Sequence, residues 1–195
     1  MKSNVCTLKG NKHELEIVLH EVEKAADYNG LERKKLLQLQ LLSEELIGIQ
    51  KGILGFVEGE FYMENTGDEY RLCLHADVHT DLMTQERFIE LATNNKNEAA
   101  KGIMGKIKYV VNYLLSGDVA TLPDYNLFYT EMHGHPYMAM GNYENMWSLG
   151  TYRSGVSQGT EAWDELEHSI VANLADDLIV GVTANYLDLI VVKKF

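Results

Sequence analysis

The spacing of apolar residues predicts two long helices at the start of the chain. In residues 13–28, apolar side chains recur every three or four positions and charged ones lie mostly opposite them. This is the pattern of a helix that covers a core with one face. Asn29 and Gly30 follow, and both residue types tolerate the left-handed conformation that ends many helices. Residues 36–57 are apolar on nearly all sides of a helix, so we expect this second helix to be central and largely buried.

Alternation of apolar and polar residues further along predicts a β-hairpin. Residues 60–64 and 70–78 flank the turn sequence NTGD at residues 65–68, and such a turn between alternating segments favours a hairpin. The second strand places its apolar side chains on one face. Its other face carries Arg71, Cys73, His75, Asp77 and His79. We therefore expect this sheet to have one packed face and one wet face.

The rest of the chain shows further helical and strand patterns and one stretch of weak periodicity. Helices are expected at 85–92, 98–115 and 161–175, the last of them capped by Thr160. Strands are expected at 4–8, 126–132, 136–140, 178–183 and 186–193. Together these elements predict an α/β fold, a two-layer sandwich with a mixed, mostly antiparallel sheet and helices on one face. We expect a single domain over residues 1–195, with an insertion or subdomain at about 116–159.

Composition and charge narrow the class of protein. Of the 195 residues, 46% are apolar and 24% are charged, as in ordinary globular proteins. The formal charge of −12 disfavours nucleic acid as a partner, because the phosphate backbone would be repelled. We expect no membrane span, because no apolar run has the required length. Two cysteines far apart, Cys6 and Cys73, favour a reducing, cytoplasmic setting, with one disulfide as the alternative.

Three stretches resemble the histidine kinase-like ATPase superfamily, also called the GHKL or Bergerat fold. The sequence LLQLQLLSEELIG at residues 36–48 is similar to the family's helix with its N-box glutamate. The sequence LCLHADVHTD at 72–81 is similar to the strand of the first glycine box. The sequence NNKNEAAKGIMGKIKYVV at 94–111 is similar to the lid end and the second glycine box. The resemblance is to stand-alone ATP-binding domains of the anti-sigma serine kinase type, and it implies a Bergerat-like sandwich.

The resemblance implies ATP with Mg²⁺ as the cofactor and assigns roles to particular residues. Glu44 or Glu45 fills the position of the general base that activates the attacking water or hydroxyl. Asp77 corresponds to the aspartate that binds the adenine amino group. The residues that would face the phosphates are Lys101, Gly102 and Gly105.

This chain departs from the family's pattern at the metal-binding position. The family has an asparagine four residues after its glutamate, where this chain has Gly48 or Ile49, and neither side chain can bind a cation. Asp77 is also out of phase with the core-facing side chains of its strand. The resemblance therefore implies a regulatory ATP-binding protein with weak or absent catalysis, any residual activity being that of an ATPase or a protein serine kinase. The alternative is a non-catalytic protein-interaction scaffold that keeps the fold and binds no nucleotide.

Two further features bear on metals and partners. His133 and His135 form an HxH pattern that would bind zinc or iron if His75 or His79 supplied a third ligand. A turn that exposes two histidines explains the same pattern, and we predict no metal site. The stretch 117–158 is rich in aromatic residues and methionine, which favours a protein partner or a homodimer through it. A subdomain with its own small core is the alternative.

Overall fold

The computed structural model describes residues 1–10, 13–54, 58–77, 107, 145–182 and 186–195. These residues form a six-stranded sheet and five helices, so the predicted α/β two-layer sandwich is confirmed. Every pairing between the described strands is antiparallel, whereas the order of the elements predicts a mixed, mostly antiparallel sheet. None of the helices in these ranges is long and apolar enough to cross a membrane.

Strands and helices follow each other in groups along the described parts of the chain. The strands are β1 Cys6–Leu8, β2 Gly59–Thr66, β3 Glu69–Asp77, β4 Asn145–Ser148, β5 Asp177–Val182 and β6 Tyr186–Lys194. The helices are α1 Glu14–Tyr28, α2 Arg33–Leu54, α3 Leu149–Gly155, α4 Glu161–His168 and α5 Ile170–Leu174. Across the sheet the strands lie in the order β1-β2-β3-β6-β5-β4. The central pair, β3 and β6, therefore joins parts of the chain that are distant in sequence.

The predicted hairpin over residues 60–78 is present, and the strands predicted at 178–183 and 186–193 pair with each other. β2 and β3 meet at a tight turn where Gly67 has a φ of 66°, a left-handed conformation that glycine adopts without steric cost. β5 and β6 pair as the closing hairpin. In the register of the sheet, Leu74 lies opposite Phe61 on one side and Leu189 on the other. Because directly opposed residues point to the same face, these apolar side chains line one side of the sheet.

α1 ends at a cap formed by Asn29 and Gly30. Asn29 caps the helix and Gly30 has a φ of 65°. The N–H of Gly30 donates to the carbonyl of Asp27, and the N–H of Leu31 donates to that of Ala26, each at 3.0 Å. These two bonds form a Schellman motif, which satisfies carbonyls that the helix itself leaves open. The predicted stop at Asn29 and Gly30 is confirmed.

The single helix predicted at 161–175 is two helices. Thr160 caps α4 as predicted, its hydroxyl oxygen accepting the N–H of Trp163 at 3.3 Å. Ser169 then adopts an extended conformation, and its hydroxyl oxygen accepts the N–H of Ala172 at 3.2 Å. Because serine side chains compete for backbone hydrogen bonds in this way, Ser169 ends α4 and caps α5.

The main core lies between the helices and one face of the sheet. The buried apolar residues of α2 are Leu36, Leu39, Leu42, Leu46, Ile47 and Ile49. Those of the two central strands on this face are Tyr70, Leu72, Leu74, Ala76, Leu187, Leu189 and Val191. Ile107, within the helix predicted at 98–115, is helical and fully buried in the same core. The expectation that α2 is central is confirmed, although one side of it is exposed.

The opposite face of the sheet, called the outer face below, carries a second apolar cluster. Its buried members are Cys73, Met146, Ile179, Ile190 and Val192, none more than 8% exposed. The prediction that this face is wet is therefore wrong for much of its area. β3 contributes only Cys73 to this cluster, and the other four residues come from β4, β5 and β6. The signal for this burial lies in β5 and β6 and not in β3: LIV at 178–180 and LIVV at 189–192 are continuous apolar runs, the pattern of strands buried on both faces.

The end of the stretch predicted as an insertion at 116–159 belongs to the main sheet. β4 pairs with β5, and α3 follows β4 directly. Met146 and Trp147, two members of the aromatic and methionine-rich stretch, are only 4% and 5% exposed and pack in the two clusters. The helix predicted at 85–92 and the strands predicted at 126–132 and 136–140 lie outside the described residues.

Candidate functional site

The two predicted catalytic glutamates differ in their surroundings. Glu44 is exposed, whereas Glu45 is half-buried. On the opposite side of this turn of α2, Leu42 and Ser43 are fully buried. The Ser43 hydroxyl donates to the carbonyl of Leu39 at 2.8 Å, which satisfies the serine within the helix. α2 therefore points Glu44 away from the core that it shares with the sheet.

Asp77, the predicted adenine-binding residue, is the last residue of β3 and lies opposite Tyr186 of β6. Its neighbour Ala76 is fully buried in the main core against the helices. Because successive side chains of a strand point to opposite faces, Asp77 belongs to the outer face. α2 packs against the other face, so Asp77 is not brought together with Glu44 or Glu45.

Apolar side chains fill the space between α2 and the sheet. Leu39, Leu42 and Leu46 of α2 are 0% exposed, as are Leu72 of β3 and Leu189 of β6. All five belong to one core cluster. Protein interiors are close-packed and hold few voids larger than a water molecule. This part of the interface therefore has no room for a nucleotide.

Gly48 lies four residues after Glu44, at the position where the resembling family has its magnesium ligand. It is exposed, and a Cβ added to it would meet no atom of the described residues within 4 Å. Packing among those residues therefore does not require glycine here, although a glycine inside a helix costs about 0.5–1 kcal/mol relative to alanine. Glu44 and Gly48 together form an open strip on the solvent side of α2.

Several predicted site residues lie outside the described part of the chain. These are the phosphate-facing residues Lys101, Gly102 and Gly105 and the histidines His79, His133 and His135. Of the predicted nucleotide site, the structure thus places Glu44, Glu45 and Asp77, and it does not bring Asp77 together with the glutamates.

A histidine–aspartate pair that the sequence does not reveal lies on the outer face. His75 of β3 and Asp188 of β6 are opposite each other in the central ladder, and His75 Nδ1 lies 2.6 Å from Asp188 Oδ1. The imidazole also packs on the Tyr186 ring, with centroids 4.6 Å apart and planes at 34°. The one local signal is the single acidic residue inside the apolar run of the last strand, YLDLIVV. Its partner follows only from the register between β3 and β6.

The pair orients an imidazole ring at the surface. A carboxylate that accepts a hydrogen bond from one ring nitrogen fixes the tautomer and leaves the other nitrogen available for a proton or a ligand. About a third of the His75 side chain (35%) is exposed, so it is accessible from outside. Within the part of the chain that the structure describes, no three His, Cys, Asp or Glu side chains are arranged to hold a metal ion. Asp188 therefore fixes the orientation of His75, and the described residues place no set of metal ligands around this histidine.

Cys73 lies two residues before His75 on the same face, but it is not an activated thiol. Burial raises the pKa of Cys73 to about 12, and the negative charge of Glu64 adds to the effect. Burial also raises the pKa of Tyr62, with which Cys73 shares a side-chain hydrogen bond. Since the thiolate is the nucleophile, Cys73 does not combine with His75 and Asp188 into a nucleophilic triad. Cys6, also free, is buried in the main core on the other side of the sheet.

We expect both thiols of the folded protein to resist iodoacetamide at mildly alkaline pH. A pKa of about 12 in place of the ordinary 9.0 lowers the thiolate fraction of Cys73 about a thousandfold, and burial raises the pKa of Cys6 as well. Mass spectrometry should show no labelling until guanidinium chloride unfolds the chain. A Val5→Cys variant, at a position 46% exposed, is the positive control. Labelling of Cys73 at the rate of that control thiol would contradict the assignment.

A buried polar network joins β4, α3 and β5. Asp177 and Ser148 are each 7% exposed, and the Ser148 hydroxyl donates to the Asp177 carboxylate at 3.0 Å. Asp177 Oδ1 also accepts the N–H groups of Gly150 at 2.9 Å and Leu178 at 2.8 Å. Ser148 in turn caps α3 by accepting the N–H of Thr151 at 3.3 Å. Because these hydrogen bonds of the carboxylate hold backbone or a capping residue in place, the network is structural.

Comparison of the chain with protein-family models, with curated proteins and with solved structures finds no match.

Proposed function

We propose that this chain is a regulatory protein that works by binding another protein and does not hydrolyse ATP. The observation that carries this proposal is the separation of the predicted catalytic and adenine-binding residues. Glu44 is exposed on the far side of α2, Asp77 belongs to the outer face of the sheet, and fully buried leucines fill the layer between them. General-base catalysis needs the base within hydrogen-bond reach of a bound substrate. Acidic groups separated by a packed core do not form one such site.

The missing metal ligand supports the same proposal. Gly48 provides no side chain beside Glu44, and Mg²⁺ is held in proteins by oxygen ligands. The stretch at 36–48 that resembles histidine kinase-like ATPases thus has the glutamate without the group that would position magnesium. We place the protein in the cytoplasm because its two cysteines, Cys6 and Cys73, are free. The formal charge of −12 disfavours nucleic acid as a partner, and we expect no membrane partner because no apolar run has the length of a membrane span.

Weak nucleotide binding without hydrolysis is the second candidate function. The observation that favours it is the open strip of Glu44 and Gly48, where a ligand would meet no steric obstacle from Gly48. Lys101, Gly102 and Gly105 would supply the phosphate contacts in this case. Backbone N–H groups of glycines and a lysine ammonium are suited to phosphate oxygens.

A turnover assay tests the proposal directly. We expect purified protein to release no phosphate from ATP above the buffer rate, with or without Mg²⁺, and we expect Glu44→Gln and Glu45→Gln to change nothing. Mg²⁺-dependent turnover that Glu44→Gln abolishes would overturn the proposal. Glu58→Gln, another exposed glutamate, is the matched control and should leave any observed turnover intact.

Calorimetry with a non-hydrolysable ATP analogue separates the two candidate functions. For an interaction protein that binds no nucleotide, we expect no heat at millimolar analogue. Heat that disappears in Lys101→Ala and persists in Lys34→Ala, an exposed lysine of α2, would establish nucleotide binding and favour the second candidate.

The partner surface is proposed to lie in the aromatic and methionine-rich stretch. β4 and α3 belong to the main sheet and its helices, so a deletion that tests this stretch has to leave them in place. Removing residues 117–144 meets that condition. If the stretch forms a homodimer, light scattering should show twice the monomer mass for the full chain and the monomer mass for the deletion. Equal association states for both would exclude a homodimer formed through residues 117–144 and leave a different protein as the partner to be sought.

A further inference from the structure

We draw no further inference here: the strongest candidate, the His75–Asp188 pair beside Tyr186 on the outer face of the sheet, presents an oriented imidazole, but nothing among the described residues, neither a set of metal ligands nor an activated thiol, shows what it would bind.

Discussion

Replacing Asp177 with alanine should lower the free energy of unfolding by at least about 3 kcal/mol, about 1 kcal/mol or more for each of the three donors that lose their acceptor. The carboxylate accepts hydrogen bonds from the Ser148 hydroxyl and from the backbone N–H groups of Gly150 and Leu178. A buried donor that loses its acceptor costs about 1–3 kcal/mol, and Asp177 serves three of them. The network also joins β4, α3 and β5, so its loss should loosen the sheet edge at β4. Urea unfolding followed by circular dichroism measures the change.

The neighbouring acid is the matched control for this prediction. Asp176 is 46% exposed in its side chain and lies 3.4 Å from the ammonium of Lys193. Its carboxylate also accepts the N–H of Lys194 at 2.6 Å, a hydrogen bond that is exposed to water, unlike those of Asp177. Exposed ion pairs of this kind contribute at most about 1 kcal/mol, so Asp176→Ala should have a much smaller effect. Asp177→Asn keeps an acceptor oxygen and should fall between the two. Equal losses for Asp176→Ala and Asp177→Ala would show that the network does not hold this edge of the sheet.

Replacing Gly59 with alanine should destabilise the protein by about 1–3 kcal/mol, the usual cost of overpacking a core. Gly59 begins β2, between Leu8 of β1 and Ala76 of β3. A Cβ there would lie 2.6 Å from the backbone carbonyl oxygen of His75 and 3.3 Å from the Cα of Ala76. Backbone on both sides is held by ladder hydrogen bonds, so the strands have to separate to make room. Thermal unfolding should show a lower midpoint.

Replacing Gly48 with alanine should instead stabilise the protein. In the part of the chain that the structure describes, no atom lies within 4 Å of a Cβ at this exposed position of α2, and alanine is favoured over glycine in a helix by about 0.5–1 kcal/mol. The two variants make the same chemical change, one at an exposed helix position and one in a strand packed against its neighbour. If Gly59→Ala proved as benign as Gly48→Ala, the close approach of β2 to β3 would be incorrect.

The elements that could be predicted from the sequence are those whose causes are local. α1 has a clear apolar stripe, and the Asn29-Gly30 pair ends it by a Schellman motif. The turn at Gly67 and the capping threonine before α4 likewise depend on only a few adjacent residues. The break at Ser169 was within reach of the same reasoning, because a serine that starts a new turn is a helix-capping signal. The apolar periodicity on both sides of it outweighed that signal.

The features that could not be predicted depend on strand order. The outer-face cluster combines residues of β3, β4, β5 and β6, and the apolar runs of β5 and β6 indicate only their own part of it. β4 has four residues and begins in a stretch without periodicity, so it is identifiable only through its pairing with β5. The same reason hides the candidate site: His75 and Asp188 meet only because β3 and β6 are neighbours. Conversely, a resemblance along the sequence places Glu44 and Asp77 in one site, whereas the sheet separates them.

We expect the pairing of β3 with β6 to limit the folding rate of this chain. His75 and Asp188, which face each other across it, are 113 residues apart in sequence. Closing so large a loop costs chain entropy before the ladder's contacts offset it, whereas α1, α2 and the β2–β3 hairpin form from nearby residues. Folding should therefore take milliseconds to seconds, as in proteins rich in non-local strand pairs. Until β6 arrives, β3 presents an unpaired edge at the centre of the future sheet, and in this state the chain is most exposed to aggregation.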